Sequence, residues 1–268
     1  MRAVPRFLLN SADIEVWPAR LLRARSNADA RTLAQAQWVL RRKSDGRYLA
    51  AAGRAGLVPL LPHWTRGVDA DAALDALALA SNGGLDADAA GWLPLDRLQT
   101  RLHALGLDER YGARTGLALV AEPAALAFAG LDRFRRALWL TAAAKRAWQA
   151  MRAAAAGDGI VLEAISGYRS HDYQLGIFDR KRARGQDVDQ ILTVNAAPGY
   201  SEHHGGNALD IGTPGEPPAE ESFEGTAAFA WLAEHAGAFG FHMSYPRGNP
   251  HGIVYEPWHW RYGNLPLP

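Results

Sequence analysis

Two strand-like runs beginning at Trp38-Val-Leu and ending at Tyr48-Leu49 flank a polar stretch containing Asp45-Gly46. An Asp-Gly pair between strand-like runs predicts a β-hairpin, because both residues tolerate the positive φ of a tight turn. Residues 69–80 have helical composition with Leu74 and Leu77, and Asn82-Gly83-Gly84 supplies a stop. A further helix is predicted over Pro94–Leu105, ended by Gly106. Up to about residue 112 the pattern describes a small α+β module. His63 and His103 stand alone in it and read as surface or core residues.

The pattern sharpens from about residue 113. Thr141–Ala156 predicts a helix with Thr141 as its cap, Leu140, Trp148 and Met151 along one side, and Gly157-Asp158-Gly159 as its end. Ile160–Ile165 predicts a short strand. Ser170 predicts the cap of a second helix reaching Arg184, with Gly185 as its stop. The basic run Arg180–Arg184 reads as a solvated face near that helix's C-terminus, where cations are favoured. Ala208–Ile211 predicts a strand, Thr226–Phe239 a third helix closed by Gly240, and the aromatic-rich tail 241–262 a strand-dominated segment.

Composition narrows the function classes. At 268 residues the chain has room for one large domain or two smaller ones. Lysine and arginine number 29 against 28 acidic residues, which excludes a polybasic nucleic-acid binder. Nine Trp, eight Tyr and eight Phe are too many aromatics for a disordered chain. With no cysteine there is no disulfide, thiol nucleophile or thiolate metal site, so any metal falls to histidines and carboxylates. No apolar run is long enough to predict a membrane span. Phe7-Leu8-Leu9 is far shorter than a signal-peptide core, so the expected location is cytoplasmic, with periplasm or cell envelope as the alternative.

Three segments carry chemistry: Ser166-Gly-Tyr-Arg-Ser170, Ser201-Glu-His-His-Gly-Gly-Asn-Ala-Leu-Asp210 and Glu256-Pro-Trp-His-Trp-Arg-Tyr262. The second sets a histidine and an aspartate seven apart across two glycines. The third sets a glutamate and a histidine three apart. A catalytic zinc site needs three nitrogen or oxygen ligands, an open position and a nearby base. Gly205-Gly206 and Pro257 argue against regular helix at either place. His203 is therefore expected in a loop leading into the strand of Asp210, and Glu256–His259 in an irregular stretch at Pro257.

The pattern S-x-H-x-x-G-x-A-x-D followed by E-x-W-H resembles the zinc D-alanyl-D-alanine carboxypeptidase family, which includes vancomycin-resistance-type D,D-peptidases and L,D-carboxypeptidases. The resemblance covers roughly residues 115–268. It implies an α+β fold, a small antiparallel sheet with flanking helices of the Hedgehog/D,D-peptidase type. The expected organisation is an N-terminal α+β module at 1–112 and a catalytic domain at 113–268. The resemblance further implies that His203, Asp210 and His259 bind Zn2+, with His203 selected over His204. By the same match Glu256 is the general base and Arg169 the cation that polarises the scissile carbonyl. Ser201 and Gln174 match positions that contact the terminal D-alanine or its peptide link. Tyr200 departs from the pattern, where a small residue is common; it either lines the pocket or packs. The implied function is removal of a C-terminal D-alanine from peptidoglycan-derived peptides. The alternatives are a zinc endopeptidase cutting inside wall stem peptides and a non-catalytic zinc-bearing binding module.

Overall fold

The computed structural model describes residues 7–24, 26–54, 56–81, 91–107, 110–192 and 196–263. The chain divides into two compact units, Met1–Leu93 with Pro123–Phe128, and Pro94–Glu122 with Ala129–Pro268. Residues 94–112, assigned from the sequence to the N-terminal module, thus lie in the second unit. Among the described residues no helix is long and apolar enough to cross a membrane.

The first unit is an antiparallel sheet. Its elements are β1 (Phe7–Asn10), β2 (Ile14–Pro18), α1 (Asn27–Gln35), β3 (Ala36–Arg42), β4 (Tyr48–Gly53), β5 (Gly56–Pro59) and α2 (Val68–Ser81). The strand order is β5-β4-β3-β2-β1, and Ala125–Ala127 of β6 (Ala125–Leu131) pair with β1. The hairpin read from Asp45-Gly46 joins β3 to β4, with Gly46 at φ 68°. Leu9, Val16, Leu40 and Leu49 pack with Ala73 and Leu77 of α2. The stop read at residues 82–84 lies outside the described residues. The first helix, α1, carried no sequence signal strong enough to be predicted, although the Ser26 hydroxyl caps it by accepting the Asp29 N–H.

The second unit begins with α3 (Asp96–Ala104) and α4 (Arg110–Thr115). It continues through β7 (Ala137–Leu140), α5 (Ala142–Gly157), β8 (Glu163–Ser166), α6 (His171–Ala183), α7 (Val188–Leu192), β9 (Ala208–Gly212), α8 (Ala227–His235), β10 (Phe241–Met243) and β11 (His259–Tyr262). Its four-stranded sheet runs β10-β11-β9-β8 and is antiparallel throughout. Thr141 caps α5, accepting the Ala144 N–H. The α5 residues Ala144, Trp148, Met151 and Ala155 repeat at helical spacing and are fully buried against Leu209, Ile211, Phe223 and Leu232. This layer makes β9 a rigid platform. Truncating a side chain buried like Trp148 costs about 3–5 kcal/mol.

Two sequence expectations shift. The strand begins at Glu163, not Ile160, because Ile160 closes α5: its N–H bonds the Ala155 carbonyl while the Gly159 N–H bonds that of Ala156. The tail holds only two short strands, with 244–258 irregular between them. Pro246, Pro250 and Pro257 remove ladder donors there, and Gly248 and Gly252 take positive φ. Thr226–Phe239 is helical as read, but its last turn, Ala236–Phe239, tightens to 3-10 before Gly240.

Candidate metal centre and cavity

The second unit's sheet sets the site. Asp210 on β9 stands directly opposite His259 on β11, and Ser166 on β8 faces Asp210 from the other side. Residues opposed across antiparallel strands project to the same face, so Asp210 and His259 share one. His203 arrives from the 3-10 turn Glu202–Gly205, which Gly206 closes at φ 68° with its N–H on the His203 carbonyl. The loop-then-strand placement predicted for His203 and Asp210 is what the chain adopts.

One donor atom from each of His203, Asp210 and His259 lies within 4.8 Å of the others. Asp210 Oδ1 is 3.2 Å from His203 Nε2 and 3.3 Å from His259 Nδ1. On the far side of the first ring, His203 Nδ1 donates to the Gly167 carbonyl at 2.7 Å. A carbonyl only accepts, so Nδ1 carries the hydrogen and Nε2 presents a lone pair toward Asp210. Gly167 is required where it stands: a Cβ would fall 2.7 Å from Leu138 Cδ1 and 3.0 Å from the Trp139 carbonyl oxygen. His259 is oriented likewise, its Nε2 lying 2.9 Å from Glu202 Oε2. Two imidazoles that each turn one nitrogen toward a shared carboxylate suit a zinc ion, with each histidine's other nitrogen bonded as metal-binding histidines require.

Electrostatics separate the two rings. Burial and the nearby Arg169 guanidinium push His203 down to about 4. Burial also opposes charge on His259, but hydrogen bonds to Asp210 and Glu202 outweigh it and raise the ring to about 10. Burial works against Asp210 ionising, yet His203, His259 and Arg169 hold its carboxyl well below the usual range. Glu202 is likewise held at about 2, burial being outweighed by His259, Ser244 and Arg261.

A cavity of about 370 Å³ opens beside these groups. Arg169, Gln174, Ser201, Glu256, Asp210 and His259 all line it, so six of the seven residues singled out from the sequence meet on one surface. The seventh, His203, is fully buried behind it. Glu256 Oε2 lies 3.7 Å from His259 Nδ1. Burial, reinforced by Asp210 and Glu202, raises its carboxyl to about 7. Arg169 Nε and Gln174 Oε1 are buried without a hydrogen-bond partner, while Gln174 Nε2 donates to the Ala196 carbonyl.

His204 has a different task. Its Nδ1 donates to the Arg169 carbonyl at 2.6 Å and its Nε2 accepts the Gly199 N–H at 3.1 Å, so neither nitrogen is left for an ion. Tyr200 packs: it is buried in an edge-on contact with Tyr111, 4.8 Å between ring centres. Sequence reasoning missed two carboxylates. Glu202 sits beside a ligand in the motif but looked like a variable position. Glu122 is buried, accepting the Tyr168 hydroxyl and the His171 N–H on either side of Arg169. Its only advance signal was an acidic residue in an apolar stretch.

Residues 137–265 match the family model described as VanY, D-alanyl-D-alanine carboxypeptidase. The match takes in just under half of the chain. The match contains every candidate site residue, whereas Glu122 and the helices α3 and α4 precede it. Among curated relatives, YodJ of Bacillus subtilis (strain 168) is 40% identical over 113 residues, 41% of this chain and 41% of that protein. The D-alanyl-D-alanine carboxypeptidase of Enterococcus faecalis (strain ATCC 700802 / V583) is 36% identical over 119 residues, 41% of this chain and 42% of the relative. The matched region thus spans about two fifths of these relatives' length. A solved structure of a vancomycin-resistance D,D-pentapeptidase, a VanY variant in complex with Zn(II), is 31% identical. It covers 47% of this chain and 73% of that chain, at a TM-score of 0.39.

Proposed function

We propose that the second unit is a zinc carboxypeptidase that removes a C-terminal D-alanine from peptidoglycan-derived peptides, as a D,D- or L,D-carboxypeptidase. The observation carrying this reading is the meeting of His203 Nε2, Asp210 Oδ1 and His259 Nδ1 beside a cavity that also presents Arg169 and Glu256. These three residues would hold the ion. Bound there, zinc supplies Lewis acidity, polarising a carbonyl oxygen and lowering the pKa of water to about 7.

The chain's own groups do the rest. Glu256 Oε2 takes the proton of the attacking water and returns it to the amine of the departing residue; a carboxyl raised to about 7 can do both near neutrality. The Arg169 guanidinium offsets the negative charge that develops on the scissile carbonyl oxygen. Gln174 Oε1, still unpartnered, accepts an N–H of the substrate, and Ser201 contacts the terminal residue or its peptide link. Tyr245, Ile253, Val254 and Trp258 wall the same cavity.

The test is mass spectrometry of peptidoglycan peptides incubated with the zinc-loaded protein. Loss of one terminal alanine supports the proposal. A cut inside the stem makes the protein an endopeptidase, and no change with metal bound makes it a binding module.

A further inference from the structure

The chemistry proposed above leaves one partly buried carboxylate beside the ligands without a task, Glu202. We propose that Glu202 is a positioning residue that selects the metal-binding tautomer of His259, so that the turn supplying one ligand also fixes the orientation of another. The inference rests on the ligand assignment made under the proposed function.

His259 lies between two carboxylates. Asp210 Oδ1 is 3.3 Å from its Nδ1 and Glu202 Oε2 is 2.9 Å from its Nε2. If Nδ1 carried the single ring hydrogen, it would donate to Asp210 and its lone pair would be lost to an ion. In the neutral ring that an ion requires, the shorter bond to Glu202 keeps the hydrogen on Nε2 and leaves the Nδ1 lone pair facing Asp210. His203 is governed in the same way, with its outer acceptor at 2.7 Å and Asp210 at 3.2 Å. In both rings the acceptor behind is closer than the carboxylate in front. One acceptor is a backbone carbonyl that no substitution removes. The other is the Glu202 side chain.

Glu202 is itself held firmly. The oxygen that bonds His259 also accepts the Ser244 hydroxyl at 2.6 Å, just after β10, and the second oxygen faces Arg261 Nη1 on β11 at 3.5 Å. It precedes His203 in the turn Glu202–Gly205. A shift of that turn therefore moves one ligand and the anchor of another together.

Zinc affinity measured by competition with a chromophoric chelator tests the proposal, together with the imidazole N–H proton resonances of the zinc-loaded protein. Removing an outer partner of a metal-binding histidine typically lowers affinity by about 10- to 100-fold, and that loss is expected for Glu202→Ala. Glu202→Gln keeps an acceptor oxygen but not its charge, so a loss of roughly three- to tenfold is expected. The His259 Nε2–H resonance should persist in Glu202→Gln and vanish in Glu202→Ala. Both variants binding zinc within about twofold of wild type, with that resonance unchanged, overturns the proposal. If Glu202→Ala does not fold, Glu202→Gln decides alone by the same limits. Wild-type protein that holds no zinc overturns the ligand assignment and this inference together, whereas zinc-loaded wild type with unaffected variants overturns this inference alone.

Discussion

His203 and His204 are neighbours, both fully buried, yet their ring nitrogens face different worlds. One Nε2 meets Asp210; the other meets the Gly199 N–H. His203→Ala is therefore expected to abolish zinc retention, measured as metal per chain after gel filtration. His204→Ala should keep the metal and lower the melting temperature, since it strips a partner from the buried Gly199 N–H and the Arg169 carbonyl. The reverse pattern would mean the wrong histidine has been assigned. Glu256 separates two roles in the same way. As a base it needs no place among the ligands, so Glu256→Gln should retain zinc and fold while turnover falls by roughly 10²–10⁴-fold. Metal loss in that variant would make Glu256 a ligand.

At the scale of elements, the junction from β8 to α6 decides where Arg169 points. The Ser170 hydroxyl caps α6, the Arg169 carbonyl accepts from His204, and Glu122 grips Tyr168 and His171 on either side. Glu122→Ala should leave zinc content unchanged and lower kcat, because it loosens the backbone that carries the guanidinium without touching the ligands. Equal kcat in variant and wild type would show that the junction holds Arg169 without it. This junction also shows what a sequence can and cannot reveal. Ser170, Thr141 and the glycines after α5 and α6 act through local bonds, so their caps were legible from spacing alone. The candidate ligands His203, Asp210 and His259 were legible because they fall within the motifs that carry the family resemblance. Glu122 and Glu202 escaped because their partners lie 49 and 57 residues away, and only the folded chain brings them together. The start of β8 was misplaced for a related reason: a β-branched residue, Ile160, reads as strand until the closing bonds of the preceding helix claim it.

For the molecule as a whole, the second unit contains more than the residues that match the family. Leu98, Leu102, Leu107 and Tyr111 pack with Ala197 and Tyr200, next to Ser201, so this earlier segment supports a wall of the cavity. Charge at the centre links metal uptake to protons. In the metal-free protein Asp210 and Glu202 raise His259 to about 10, so its ring is protonated at neutral pH, while His203, lowered to about 4, is not. An ion needs both rings neutral. Zinc affinity should therefore rise with pH between about 6 and 8, by roughly tenfold per unit for the one proton released from His259. Calorimetry in buffers of different ionisation enthalpy reads that proton, and an affinity independent of pH would contradict the coupling. The central claim is that this constellation releases a terminal D-alanine with zinc in place. The direct measurement is free D-alanine released from a synthetic wall-type peptide ending in D-alanine, followed by an oxidase-coupled assay with and without a zinc chelator. The account predicts steady release that stops on chelation and returns with added zinc. No release from the zinc-loaded protein, or release that chelation leaves unchanged, would contradict it.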